Sequence, residues 1–243
     1  MAKSGIQADE GKAAHPLDRV VWNALSGPQH HLGEGGPHAR RYNPAVAPFA
    51  ALAALDAASF DALLMLVGPA TLVALFTVDE VSFPGGFFVA KRALADQMVL
   101  ENPAVCELAD LDPLGASDVP EMLELADATE PGPFGSKTVE FGGYLGIRRK
   151  GRLIAMAGQR MKIPGFTEVS AVCVHPDFRG QGLAATLVRA VSMTIHKRGD
   201  IPFLHVFSNN APAIELYRKV GFKLRRRMCL AAVRAAQADP PII

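Results

Sequence analysis

The stretch Val169-Ser-Ala-Val-Cys-Val-His-Pro-Asp-Phe-Arg-Gly-Gln-Gly-Leu-Ala184 constrains this chain more than any other. An apolar, β-branched run predicts a strand. His175-Pro176-Asp177 breaks it, and a glycine-rich segment then opens an amphipathic helix. That order brings the backbone N–H groups of Arg179, Gly180, Gln181, Gly182, Leu183 and Ala184 to a helix N-terminus. There the unpaired donors and the helix dipole favour a multiply charged anion such as a pyrophosphate. Gly180 and Gly182 let the backbone approach that anion with no Cβ in the way.

The rest of the composition narrows the classes available. With 25 basic and 24 acidic side chains the formal charge is +1, so nucleic acid or an anionic membrane is not expected as a partner. Cys106, Cys173 and Cys229 are far apart and odd in number, which argues against a zinc site or a disulfide framework. His15, His30, His31 and His38 lack the cysteines or spaced carboxylates of a metal site, so no metal is expected. The first fifteen residues hold no apolar signal core. The uncharged run Ala62–Val78 is interrupted by Gly68-Pro69 and reads as a buried helix, a break and a strand, not a membrane span. A soluble, cytoplasmic protein is expected.

Residues 1–43, rich in Gly, His and Pro, read as a loop-rich segment. Residues 44–103 read as an N-terminal α/β domain, a degenerate copy of the fold that follows. It would have helices over Ala45–Leu55 and Phe60–Val67, and strands over Ala70–Val78, Gly86–Lys91 and Gln97–Glu101. A second domain spans 104–232 and a tail 233–243. The second domain starts with a strand over Val105–Leu111 and a helix whose capping box pairs Asp118 with Glu121. A meander of Gly143–Arg148, Arg152–Ile163 and Glu168–His175 follows, with Pro164-Gly165 suited to a type II turn. The helix Gly182–Arg198 carries an apolar stripe at Leu183, Leu187, Val188, Val191 and Ile195. Ile201–Phe207 is a strand parallel to its predecessor, Asn210 caps another helix, and Phe222–Leu230 ends the sheet.

Asn210-Ala-Pro-Ala-Ile-Glu-Leu-Tyr-Arg-Lys-Val-Gly-Phe222 supplies a second motif one helix and one strand after the first. Together the two resemble the GNAT superfamily of N-acetyltransferases. Arg179, Gly182 and Ala184 fill its Arg/Gln-x-x-Gly-x-Gly/Ala pattern. Asn210, Ala213, Tyr217, Gly221 and Phe222 fill its later Asn-x-x-Ala-x-x-x-Tyr-x-x-x-Gly-Phe pattern. The resemblance covers roughly residues 104–232. It implies an α/β (α+β) fold with a mixed, mostly antiparallel central sheet flanked by helices.

The resemblance also implies an acyl-CoA co-substrate, acetyl-CoA first among them, and direct transfer to a primary amine of a small molecule, amino acid or peptide. The pantetheine arm would lie along the backbone of Val172, Cys173 and Val174. A bulge in that strand would aim one N–H at the thioester carbonyl. Tyr217 stands in the position of the general acid that protonates the leaving thiol, and Asn210 and Ala213 border the coenzyme. Glu168, at the start of the thioester strand, is the first candidate for general base, with Ser170, His175 and His205 behind it. Glu130 to Phe134, Tyr144 and Arg160 are expected to line the acceptor side. A homodimer is compatible with this reading. The alternative is a non-catalytic acyl-CoA-binding or sensing module.

Overall fold

The computed structural model describes residues 15–104 and 111–236. Apart from Leu111, the strand expected over Val105–Leu111 lies outside them. Leu111 itself is irregular, and the next strand, β6, begins at Asp112.

From His15 on, the N-terminal segment is not a loop. After a 3₁₀ turn at Pro16–Arg19 comes helix α1 (Val20–Leu25), then three short antiparallel strands, β1 (Gly33–Gly35), β2 (Ala39–Tyr42) and β3 (Ala50–Leu52). Leu17, Val20, Val21, Ala24 and Leu25 follow helical spacing, and all five are buried in the main core. The helix expected over Ala45–Leu55 is also absent. Pro48 has no N–H for a helical bond, its carbonyl accepts from Ala74 (2.7 Å), and the Phe49 carbonyl accepts from Tyr42 (2.9 Å). The segment is drawn into strand β3 instead. Helix α2 (Ala57–Val67) forms where expected, its first turn bonded by the Asp56 carboxylate to the Ser59 N–H at 2.8 Å.

One eight-stranded sheet organises the remainder. Its strands are β4 (Val73–Thr77), β5 (Phe87–Val99), β6 (Asp112–Leu114), β7 (Tyr144–Arg149), β8 (Arg152–Ile163), β9 (Phe166–Val174), β10 (Ile201–Phe207) and β11 (Lys223–Ala235). They lie in the order β4-β11-β5-β10-β9-β8-β7-β6. All neighbours are antiparallel except β9 and β10. The two strands expected at Gly86–Lys91 and Gln97–Glu101 are thus one long strand, β5. It sits between β10 and β11 in the middle of the sheet, so a boundary at residue 103 cuts through a single sheet. Val233, Arg234 and Ala235, assigned to the tail, pair with Val89, Phe88 and Phe87. Val233 has no exposed surface and packs with Phe60, Leu63 and Val67 of α2.

Three more helices cover the faces of the sheet. Helix α3 (Val119–Thr129) packs Met122 and Leu125 with α1 against Phe49, Met156, Met161 and Phe203 on one face. Helices α4 (Leu183–His196) and α5 (Ala211–Val220) cover the other. There Leu187, Val188, Val191, Ile195 and Ile214 meet Met98, Ala155, Val169, Leu204 and Val206. Each such side chain contributes about 1.5–3 kcal/mol by leaving water. The expected capping box at Asp118 and Glu121 does not form. Both carboxylates are instead bonded to Arg148 of β7, at 2.7 and 2.6 Å, because the strand carries a cation across the start of the helix.

Candidate active site

The site is built by a parting of strands. β9 and β10 pair at Phe166–Ile201, Thr167–Pro202 and Glu168–Phe203, and no further. Beyond Glu168 the β10 side of β9 has no strand partner among the described residues. On its other edge β9 stays paired with β8, with one residue too many between Ser170 and Cys173. The extra residue is a bulge, and Ala171 within it takes φ +51°, a left-handed conformation uncommon for a residue with a Cβ. The bulge turns the backbone of Val172 toward the opened gap.

A cleft of about 620 Å³ runs from that gap to the start of α4. It is lined by Val172, Cys173 and Val174 on the strand, and by Phe178, Arg179, Gly180, Gly182, Leu183 and Ala184 at the turn. Asn210, Pro212, Ala213 and Leu216 close it from α5, and Thr129 from the end of α3. Of the expected coenzyme-side residues, all but Gln181 line it. Thr129, Phe178, Pro212 and Leu216 were not expected. Thr129 arrives only through the tertiary packing of α3, whereas Leu216 was accessible as the neighbour of Tyr217.

Gly180 and Gly182 take φ +78° and +76°, so this turn demands glycine by conformation. Gly182 is the N-cap residue and offers no side chain to the helix, and the first helical bond runs from Thr186 N–H to its carbonyl (3.1 Å). The N–H groups of Leu183, Ala184 and Ala185 therefore have no acceptor inside the helix, and Leu183 and Ala184 line the cleft. Arg179 folds its Nε back to the Val174 carbonyl at 3.4 Å, tying the turn to the strand.

Tyr217 packs on α5 against the core that includes Phe222. Burial pushes its phenol up to about 12, a rise that the field of Arg160 opposes. It thus keeps its proton at neutral pH. Cys173 is likewise pushed up to about 11 by burial, so it lines the cleft as a thiol and not as a nucleophile.

Glu168 departs from the expectation of a carboxylate able to accept a proton directly or through water. Its side chain has no exposed surface. Arg160 of β8 binds it through two bonds, Nε to Oε2 at 2.7 Å and Nη2 to Oε1 at 2.6 Å, and His205 Nδ1 meets Oε1 at 2.7 Å. Burial alone would raise its pKa, but the Arg160 charge and these bonds outweigh it and hold the carboxyl at about 2. A group so acidic is a weak proton acceptor. His205 is engaged on its other side too, with Nε2 3.0 Å from the Gln97 amide and its ring stacked on Phe76 at 4.4 Å.

The remaining expected residues fall as follows. Ser170 lies opposite Gly158 on β8. His175 Nδ1 accepts the Asp177 N–H at 3.3 Å and so serves the turn. Tyr144 is buried and donates to the Thr138 carbonyl at 3.3 Å, and Arg160 lies over the Phe49 ring at 4.8 Å. Tyr144 shares the main core with Phe49 and the apolar residues of α1, and Arg160 keeps 12% of its side chain exposed.

Comparison with known proteins follows this geometry. Residues 144–231 match the family described as FR47-like protein. A crystal structure of a GNAT-family protein from Novosphingobium aromaticivorans is 42% identical, with a TM-score of 0.87, and the match covers 92% of this chain and 100% of that one. The N-alpha-acetyltransferase RimI of Mycobacterium tuberculosis is 38% identical over 90 residues, 35% of this chain and 56% of that enzyme. Mycothiol acetyltransferase of Corynebacterium aurimucosum is 34% identical over 70 residues, 28% of this chain and 23% of that enzyme. The matched segment thus spans about half or less of these two relatives.

Proposed function

Because the chain belongs to the GNAT family of acetyltransferases, we propose that it transfers the acyl group of an acyl-CoA, acetyl-CoA first among them, directly to a primary amine. One observation carries this reading. The strands part after the Glu168–Phe203 pair, and the gap leads without interruption to a helix start with unpaired donors.

The donor set suits the coenzyme. The N–H groups at Leu183, Ala184 and Ala185 would hold a pyrophosphate, and the free edge of Val172–Val174 would bond an extended amide-bearing arm. When bound, acyl-CoA supplies an activated acyl carbon and a thiol leaving group. The N–H at the bulge would then meet the carbonyl oxygen on which negative charge grows. Tyr217, protonated at neutral pH, donates to the departing sulfur. The amine's charge is lost before attack, and among the described residues no carboxylate lines the cleft to take that proton.

Glu168 in this reading positions and does not exchange protons. It holds Arg160 on β8 and His205 on β10, and so fixes the apex of the gap. The attacking amine comes from its unprotonated fraction in solution, which for an α-amine is half at a pH of about 8. kcat/KM for the amine should therefore rise with pH up to that value and level off.

The test is release of thiol from acetyl-CoA across a panel of amines, with coenzyme binding measured separately. Amine-dependent release supports the enzyme. Binding of acetyl-CoA with no release on any amine would instead mean a sensing module. Absence of binding would overturn both.

A further inference from the structure

A second cavity, of about 480 Å³, lies where β10 ends. It is lined by Lys91, Arg92, Ala93, Leu94, Phe207, Ser208, Asn209 and Arg227. Among the described residues three cations and no carboxylate line it, in a chain whose formal charge is only +1. Two large apolar side chains stand open in its wall, Phe207 at 43% exposure and Leu94 at 47%. Lys91 lies over the Phe207 ring at 5.2 Å and makes no ion pair among the described residues. Arg92 pairs with exposed Glu80 at 3.1 Å, and Arg227 with Asp96 at 3.0 Å. Asp96 also accepts from Ser208 Oγ at 2.6 Å and is nearly buried, which leaves most of the Arg227 guanidinium facing outward.

Its position relates it to the cleft. Phe207 is two residues beyond His205 on the same face of β10, a separation of about 7 Å at strand rise. Asn209 lines this cavity and Asn210 lines the cleft, so a single turn of chain separates them. The two cavities therefore border consecutive residues of one turn. A simple protonated amine is repelled by such a wall. A molecule that also bears a carboxylate is drawn to it, and an apolar body finds Phe207 and Leu94.

We propose that this cavity recognises the carboxylate of the acceptor, so that the substrate is an amino acid or other amine that also carries a carboxylate. The inference rests on the acyl-transfer reading above and names its substrate class. Lys91 is the specificity-determining residue easiest to change, since it supports no other ion pair. Arg227 is a poorer target, because its loss would leave Asp96 without its cation.

The experiment compares proteinogenic amino acids with the amines that lack only their carboxylate, for example phenylalanine against 2-phenylethylamine, using the full chain and acetyl-CoA. At least one carboxylated member should exceed its partner about tenfold or more in kcat/KM. Lys91→Glu should cut that preference about tenfold while acetyl-CoA affinity stays unchanged, and added salt should weaken it. Equal rates within every pair, or a preference that Lys91→Glu leaves intact, would overturn the inference. Turnover confined to amines without a carboxylate would overturn it as well, with the acyltransfer reading left standing. Acetyl-CoA binding without turnover of any member would also sink it, and failure to bind acetyl-CoA would be seen separately as failure of that reading.

Discussion

His205 and Glu168 are bonded across the point where β9 and β10 part, Nδ1 to Oε1 at 2.7 Å. The direction of the bond follows from the next residue along. Arg225 donates to Gln97 Oε1 at 2.8 Å, which turns the Gln97 amide N–H toward His205 Nε2 and leaves the Nδ1 proton for Glu168. Side chains from β8, β9, β10, β5 and β11 thus form a continuous polar row, just where the main-chain ladder is interrupted. Every member is paired, which is what makes so much buried polarity tolerable.

Removing the charge at the centre of that row should be costly. Glu168→Gln leaves Arg160 buried against Phe49 without its counter-ion, and a loss of about 3–5 kcal/mol is expected from chemical denaturation. The same pair makes stability depend on acid. The carboxyl is held at about 2 in the folded chain against an ordinary value of 4.5, so its contribution is complete above 4.5. It should be lost as pH falls from there toward 2, and a denaturation midpoint that stays flat through that range would contradict the pairing.

Tyr217→Phe removes the hydroxyl that the proposed reaction uses as proton donor and leaves the packing against Phe222 in place. A fall in kcat of about 10²-fold or more, with KM for acetyl-CoA little changed, is the expected signature in steady-state kinetics. A change in KM alone would assign the hydroxyl to binding.

Gly182→Ala tests whether the turn needs glycine for conformation or for room. A Cβ there would meet nothing within 4 Å, whereas φ is +76°. The variant should therefore lose about 1–2 kcal/mol of stability without a steric clash. Calorimetric titration should show weaker acetyl-CoA binding, because the donors of Leu183 and Ala184 shift with the turn.

Ala171→Val places a β-branched residue at φ +51° in the bulge. We expect a loss of about 1–3 kcal/mol, or several degrees in Tm, and a raised KM for acetyl-CoA. Ala171→Gly should retain both, since glycine takes that conformation without strain.

Much of this architecture was legible in the residues. The strand, broken turn and glycine-rich helix entry at 169–184 appear where their spacing puts them, as do α5 and its cap at Asn210, whose Oδ1 accepts the Ala213 N–H at 3.2 Å. Most of the errors of element assignment lie in the first hundred residues. Leu17, Val20, Val21, Ala24 and Leu25 carry a helical stripe that the surrounding glycines and histidines obscured. Ala45–Leu55 has the composition of a helix, but its backbone bonds go to β2 and β4 instead. Glu168 could be seen as a strand-end carboxylate. That it would be buried could not, because its partner Arg160 is positioned by the pairing of β8 with β9.

The sequence by itself determined the glycine-rich turn and its helix, since both depend on contacts within a few residues and on glycine's access to positive φ. Tertiary structure alone decided that β5 would enter the middle of the sheet. It also decided that Glu168 would be locked between Arg160 and His205, and that Lys91 and Arg227 would meet Phe207 beyond β10. Those relationships join residues from 8 to more than a hundred positions apart, and only the long-range pairing of strands brings them within bonding distance.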